Sequence, residues 1–114
     1  MKEQRKLQRR HLIYYLRVFD NDTNEVIGHL INITPEGIMI MSEKPLETNK
    51  LYHLRMDLPA DVFHKSIIEF EAESRWCRKD VNPEFYDTGF SIKNLAYEDG
   101  RLIEKLIDDY GFRY

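Results

Sequence analysis

Two sets of residues in this chain have the types and spacing to hold an anion or a flat polar ring. The first is a run of cations near the N-terminus, where Lys2, Arg5, Lys6, Arg9 and Arg10 stand against Glu3 alone. Arginine presents a planar fork that pairs bidentately with phosphate or with guanine O6 and N7, and it also stacks on a base. The second is Asn32-Ile-Thr34-Pro-Glu-Gly37, an amide and a hydroxyl two residues apart followed by a glycine. Asn and Thr can hydrogen-bond the edge of a base, and glycine lets a backbone approach closely. Each set also has a plainer use. A basic run fits a solvated terminus, and Asn32 and Thr34 fit an Asx- or ST-type turn bonded to the local backbone.

Nothing else in the sequence has the spacing of a catalytic or metal centre. His11, His29, His53 and His64 are scattered, without the intervals that hold a metal. Cys77 is the single cysteine and has no activating neighbour in sequence, so it reads as a structural thiol. No Gly-x-Ser-x-Gly elbow or phosphate loop is present. The expectation is a protein that is not an enzyme and carries no metal or cofactor. One cysteine permits no intrachain disulfide and suits a reducing, cytoplasmic setting. No apolar stretch reaches the ~18–20 residues that span a bilayer. The net charge is −3, but beyond the arm the other 104 residues hold 12 basic against 19 acidic side chains. Such a body repels duplex nucleic acid while its arm attracts a compact anion. Glu69, Glu71 and Glu73 fall at period 2 on one outward face, a solvated face or a patch for a basic protein partner.

The elements that must position these residues are mostly strands. Residues 12–19 are rich in β-branched and aromatic types and predict a strand. Turn formers fill residues 20–24, and the β pattern resumes over 25–33 as a hairpin. Thr34-Pro35-Glu36-Gly37 predicts a tight turn, with Pro fixing φ and Gly free to take positive φ. Residues 38–41 are apolar on both faces, as in a doubly covered strand. Residues 51–58 set Leu54, Met56 and Leu58 against His53, Arg55 and Asp57. A long strand over 66–79 turns Ile68, Phe70, Ala72, Ser74 and Trp76 inward, and Glu69, Glu71, Glu73 and Arg75 outward. On this alternation Trp76 is core rather than a stacking platform, while Arg75 and Arg78 belong to a solvated face, with an extension of the basic site as the alternative. Residues 85–92 are the last strand. From Leu95 the period becomes 3.6, with Leu102, Ile103, Leu106, Ile107 and Tyr110 on one face, Asn94 as N-cap and Gly111 as stop. The fold class is all-β with a C-terminal helix, a six-stranded antiparallel barrel that the helix caps or plugs.

In order and spacing these parts resemble the PilZ domain family. The family's Arg-x-x-x-Arg arm is matched by Arg5-Lys-Leu-Gln-Arg9, and its (Asp/Asn)-x-Ser-x-x-Gly turn by Asn32-Ile-Thr34-Pro-Glu-Gly37. The 22 residues between Arg9 and Asn32 suit a strand, a loop and a second strand. Arg75-Trp76-Cys77-Arg78 and Thr88-Gly89-Phe90 follow the family's later order. Thr34 stands where the family usually has Ser, Asn32 where Asp is commoner, and Lys6-x-x-x-Arg10 offers a second arm register. The resemblance implies an arm over residues 1–11 and a single barrel domain over 12–114. It also implies a bacterial receptor for cyclic di-GMP that changes its arm on binding and signals to a protein partner. Arg5, Arg9, Arg10, Asn32, Thr34 and Gly37 are then the ligand-binding residues. Members without a working arm act as protein-interaction adaptors, which is the alternative reading. A barrel for single-stranded nucleic acid is a third, against which the acidic body argues.

Overall fold

The computed structural model describes residues 16–58 and 65–110. Six strands run β1 (Arg17–Asp20), β2 (Glu25–Thr34), β3 (Gly37–Ser42), β4 (Leu51–Asp57), β5 (Ile67–Lys79) and β6 (Tyr86–Asn94), followed by helix α1 (Tyr97–Tyr110). They close an antiparallel barrel in the order β1-β2-β3-β6-β5-β4, and β1 pairs with β4 through Val18 opposite Met56. Closure leaves no free sheet edge, and each strand buries one face.

The interior follows from period-2 patterning. Val18, Leu30, Ile40, Leu54, Met56 and Ile68 are fully buried, and Tyr52 meets Phe90 edge to face with centroids 5.5 Å apart. Ile38 and Ile40 of β3 face inward, while Met41 on the outer side is also buried, as a doubly covered strand requires. Ser74 is the inward polar residue of β5. Its hydroxyl donates to Glu47 O at 2.7 Å and accepts from Lys50 N at 3.1 Å, which ties the β3–β4 loop to the barrel.

Helix α1 adds Ile103 and Leu106, both fully buried in the same core cluster, and packs against β2. Burying each such side chain stabilises by about 1.5–3 kcal/mol. Glu98 and Asp99 in its first turn suit the positive end of the helix dipole. Asp99 is buried and paired with Lys65 Nζ at 2.7 Å.

Two expectations are corrected, for Asn94 and Trp76, and a third, the first strand, lies partly outside the described residues. Asn94 is not the N-cap, because it continues β6 and pairs with Glu71, and the helix begins at Tyr97. Of the first expected strand the described part is Arg17–Asp20 alone, with Leu16 buried just before it. Trp76 is not core: it is 39% exposed on the outer face. The reason is a β-bulge. Ser74 pairs with Phe90 and Trp76 with Gly89, so Arg75 is an extra residue that reverses the alternation beyond Ser74. Among the described residues no helix is long and apolar enough to cross a membrane.

Candidate functional site

A second bulge lies on β2 and does for Asn32 what the first does for Trp76. Leu30 pairs with Ile40 and Asn32 with Met39, leaving Ile31 as the extra residue. Strict alternation from buried Leu30 would drive Asn32 into the core; the bulge turns it out and sends Ile33 in, where it is 2% exposed. The two re-aimed segments face one open groove of about 390 Å³, bounded by Asn32, Thr34 and Gly37 on one side and by Arg75 and Trp76 on the other. Met39, Gly89 and Ser91 of β3 and β6 form its floor.

The turn residues divide their work. Asn32 Oδ1 accepts from Ile33 N at 2.9 Å, which leaves the two Nδ2 protons as the free edge of the amide. The Thr34 hydroxyl accepts from Gly37 N at 3.1 Å and from Glu36 N at 3.3 Å, and donates to Gly37 O at 3.4 Å. It is therefore an ST-type turn hydroxyl bonded to local backbone. Gly37 is needed for space, since a Cβ there would lie 2.6 Å from Phe90 O across the β3–β6 ladder; its φ is not in the left-handed region. Glu36 O accepts from Ile92 N at 2.8 Å and pins the turn to β6.

On the far wall the indole of Trp76 lies across Gly89, where an added Cβ would overlap its ring. The Arg78 guanidinium sits over the indole at 4.7 Å. Arg75 Nη1 donates to Glu73 Oε1 at 3.0 Å, and Lys93 Nζ approaches the same oxygen at 3.5 Å. The remaining carboxylates of that strand face are also engaged. Glu71 meets His53 Nε2 at 3.0 Å, and Glu69 accepts from Asn21 at 3.3 Å. His53 also touches Asp22, 3.1 Å from Nδ1, and its pKa is raised, first by the Asp22 hydrogen bond.

Of the expected site residues, Asn32, Thr34 and Gly37 come together on this groove, while Arg5, Arg9 and Arg10 lie outside the described residues. Sequence reasoning preferred a core place for Trp76 and a solvated face for Arg75 over a stacking platform and an extension of the basic site, and so left both out of the site. The available signal was an aromatic between two arginines, with a glycine on the neighbouring strand.

Comparison with solved structures gives the Bacillus subtilis inhibitor of motility (MotI/DgrA) as a similar protein, with a TM-score of 0.65 and 20% sequence identity. The match covers 82% of this chain and 45% of that one, so this chain spans less than half of its neighbour's length. At that identity the likeness is one of fold. No curated protein matches the chain. The PilZ domain model matches residues 3–109, and with the barrel, the helix and the Asn32–Gly37 turn in place, the chain belongs to the PilZ family of cyclic di-GMP receptor domains.

Proposed function

We propose that this chain is a cyclic di-GMP receptor module that passes ligand binding on to a protein partner. The observation that carries the reading is the pair of bulges, which bring Asn32 and the Arg75–Trp76 segment to opposite walls of one groove. In this reading Asn32 offers its Nδ2 protons to acceptor atoms on a guanine edge, and the exposed part of the Trp76 indole, with Arg78 over its ring, offers an aromatic wall to the base. Arg5 and Arg9, or Lys6 and Arg10 in the alternative register, close over the phosphates as bidentate or point charges. Binding needs no catalysis, cofactor, membrane insertion or duplex nucleic acid, and the reducing cytoplasm is its setting.

The Thr34 geometry favours a second reading. A turn whose hydroxyl is already satisfied holds its shape without ligand, so the same barrel can serve as an adaptor that works through protein contacts alone.

Isothermal titration with cyclic di-GMP separates the two. Wild-type protein is expected to release or absorb heat on binding. Arg9→Ala is expected to weaken binding by ~10–100-fold, the scale of one charged bidentate contact. Arg9→Lys restores part of the loss, because an ammonium lacks the fork. Arg10→Ala costs less than Arg9→Ala if Arg5 and Arg9 are the clamp, and more if Lys6 and Arg10 are. No heat at millimolar ligand would retire the receptor reading in favour of the adaptor.

A further inference from the structure

Beside the Asn32–Gly37 turn lies a second open groove, of about 410 Å³, that the ligand-binding reading does not use. The turn is common to both: Asn32, Thr34 and Gly37 border the first groove, whereas Pro35 borders the second. Ile92 and Leu95, half-buried against the barrel core, form the base of the second groove. Helix α1 supplies Tyr97, Gly100, Arg101 and Glu104, which recur at the three- and four-residue spacing of one helix face.

Three observations mark this groove as a surface for a partner. Tyr97 is 78% exposed, and tyrosine and arginine are the residue types that protein interfaces favour. Gly100 stands in the first turn of the helix, where alanine is the better helix former. A Cβ there would meet only Leu95 Cδ2, at an ordinary 3.7 Å, so the fold has room for a side chain and the glycine keeps the groove open. Arg101 is exposed and has no hydrogen bond or ion pair among the described residues. Lys93 Nζ reaches only to 3.5 Å from Glu73, a carboxylate that Arg75 already holds at 3.0 Å. The groove thus sets two cations against one carboxylate, Glu104, on a body that beyond its arm holds 12 basic and 19 acidic residues. An apolar base rimmed by cations complements an acidic segment with an apolar side chain, and it repels the chain's own basic arm.

We propose that this groove docks an acidic segment of a protein partner. An apolar side chain of the partner sits on Ile92 and Leu95 beside the Tyr97 ring, and a partner carboxylate pairs with Arg101. The shared turn couples the two grooves, because Ile92 N donates to Glu36 O at 2.8 Å and Pro35 lies between Thr34 and Glu36. Ligand held at Asn32 and Thr34 therefore bears on the rim of the docking groove. Only that response to nucleotide rests on the cyclic di-GMP reading; the docking itself does not.

Selection of short random peptides displayed on phage, against the ligand-free full chain, tests the proposal. The recovered peptides are expected to carry Asp and Glu around one bulky apolar residue. A synthetic peptide of that set, followed by fluorescence anisotropy, is expected to lose about tenfold or more in affinity with Arg101→Glu. Exchanging its carboxylates for lysines restores binding to that variant. Gly100→Leu fills the groove and abolishes binding, while its melting temperature holds or rises. Lys44→Glu, beyond the opposite end of β3 from the turn, changes the charge equally and leaves affinity within about twofold. Saturating cyclic di-GMP is expected to change peptide affinity by about fivefold or more. No acidic enrichment, or binders that keep their affinity in both Arg101→Glu and Gly100→Leu, would overturn the proposal. So would a dimer in sedimentation that Gly100→Leu disperses, since a second copy would then be the occupant. Heat of nucleotide binding with unchanged peptide affinity would overturn the coupling. Peptide docking as described without any heat of nucleotide binding would support the docking site and fail the receptor reading alone.

Discussion

The Thr34 hydroxyl accepts two backbone N–H groups and donates to a backbone carbonyl, all within the turn it belongs to. Asn32, two residues earlier, commits only its oxygen and keeps both amide protons free. The two residues should therefore fail differently when truncated. Thr34→Ala leaves Glu36 and Gly37 N–H groups without that acceptor, and a stability loss of about 1 kcal/mol is expected, with Thr34→Ser recovering most of it. Asn32→Ala sits at a half-buried position and is expected to cost no more than about 1 kcal/mol, while weakening cyclic di-GMP binding in the proposed role. Denaturant melts and calorimetric titration on the same variants decide the matter. Equal melts with equal binding losses would mean that the Thr34 hydroxyl leaves the turn to contact ligand.

At the scale of elements, the site depends on two extra residues, Ile31 and Arg75. Hydrophobic alternation located β4 and β5, because closure buries one face of each so that polar and apolar residues take fixed sides, and β-type composition between turn formers located the others. The same alternation failed at Trp76, because a bulge residue leaves no mark in composition. Leu-Ile-Asn-Ile and Ser-Arg-Trp-Cys read as ordinary strand. The helix start was missed because β6 carries Asn94 into pairing with Glu71, where a capping residue type was not used as a cap. The turn was legible as a motif, but that its hydroxyl faces inward to backbone required the geometry. If the bulge takes Trp76 out of the inward set of β5, truncations along the strand should divide sharply. Phe70→Ala is expected to cost about 3–5 kcal/mol, as for a buried aromatic. Trp76→Ala is expected to cost about 1–2 kcal/mol, for partial burial, while removing the groove wall. A Trp76→Ala loss as large as that of Phe70→Ala would return the indole to the core.

For the whole molecule, the acidic body and its exposed pairs make pH the informative variable. Pairs such as Arg17 with Asp57 at 2.8 Å are largely solvated and contribute little each. His53 behaves differently, because its hydrogen bonds to Asp22 and Glu71 raise its pKa above the usual 6.5. Its contribution is fully present below that unfolded value and is lost as pH rises through the folded one. Asp87 has the same sign for another reason. Burial lifts its folded value to about 6, above the ordinary 3.8, so the native state binds more protons between those limits, and stability falls as pH rises across them. Asp80 is shifted the other way, held down first by the Asn82 backbone N–H, so its share is present above the usual carboxylate range and is lost as pH falls through its lowered value. The melting temperature is therefore expected to decline from mildly acidic conditions toward neutrality in two overlapping stages, the first set by Asp87 and the second by His53. Asp87→Asn should flatten the acidic stage and His53→Gln the neutral one, with each variant leaving the other stage in place. A wild-type melting temperature whose pH dependence is unchanged by both Asp87→Asn and His53→Gln would show that neither group holds its proton more tightly in the folded barrel than in the unfolded chain.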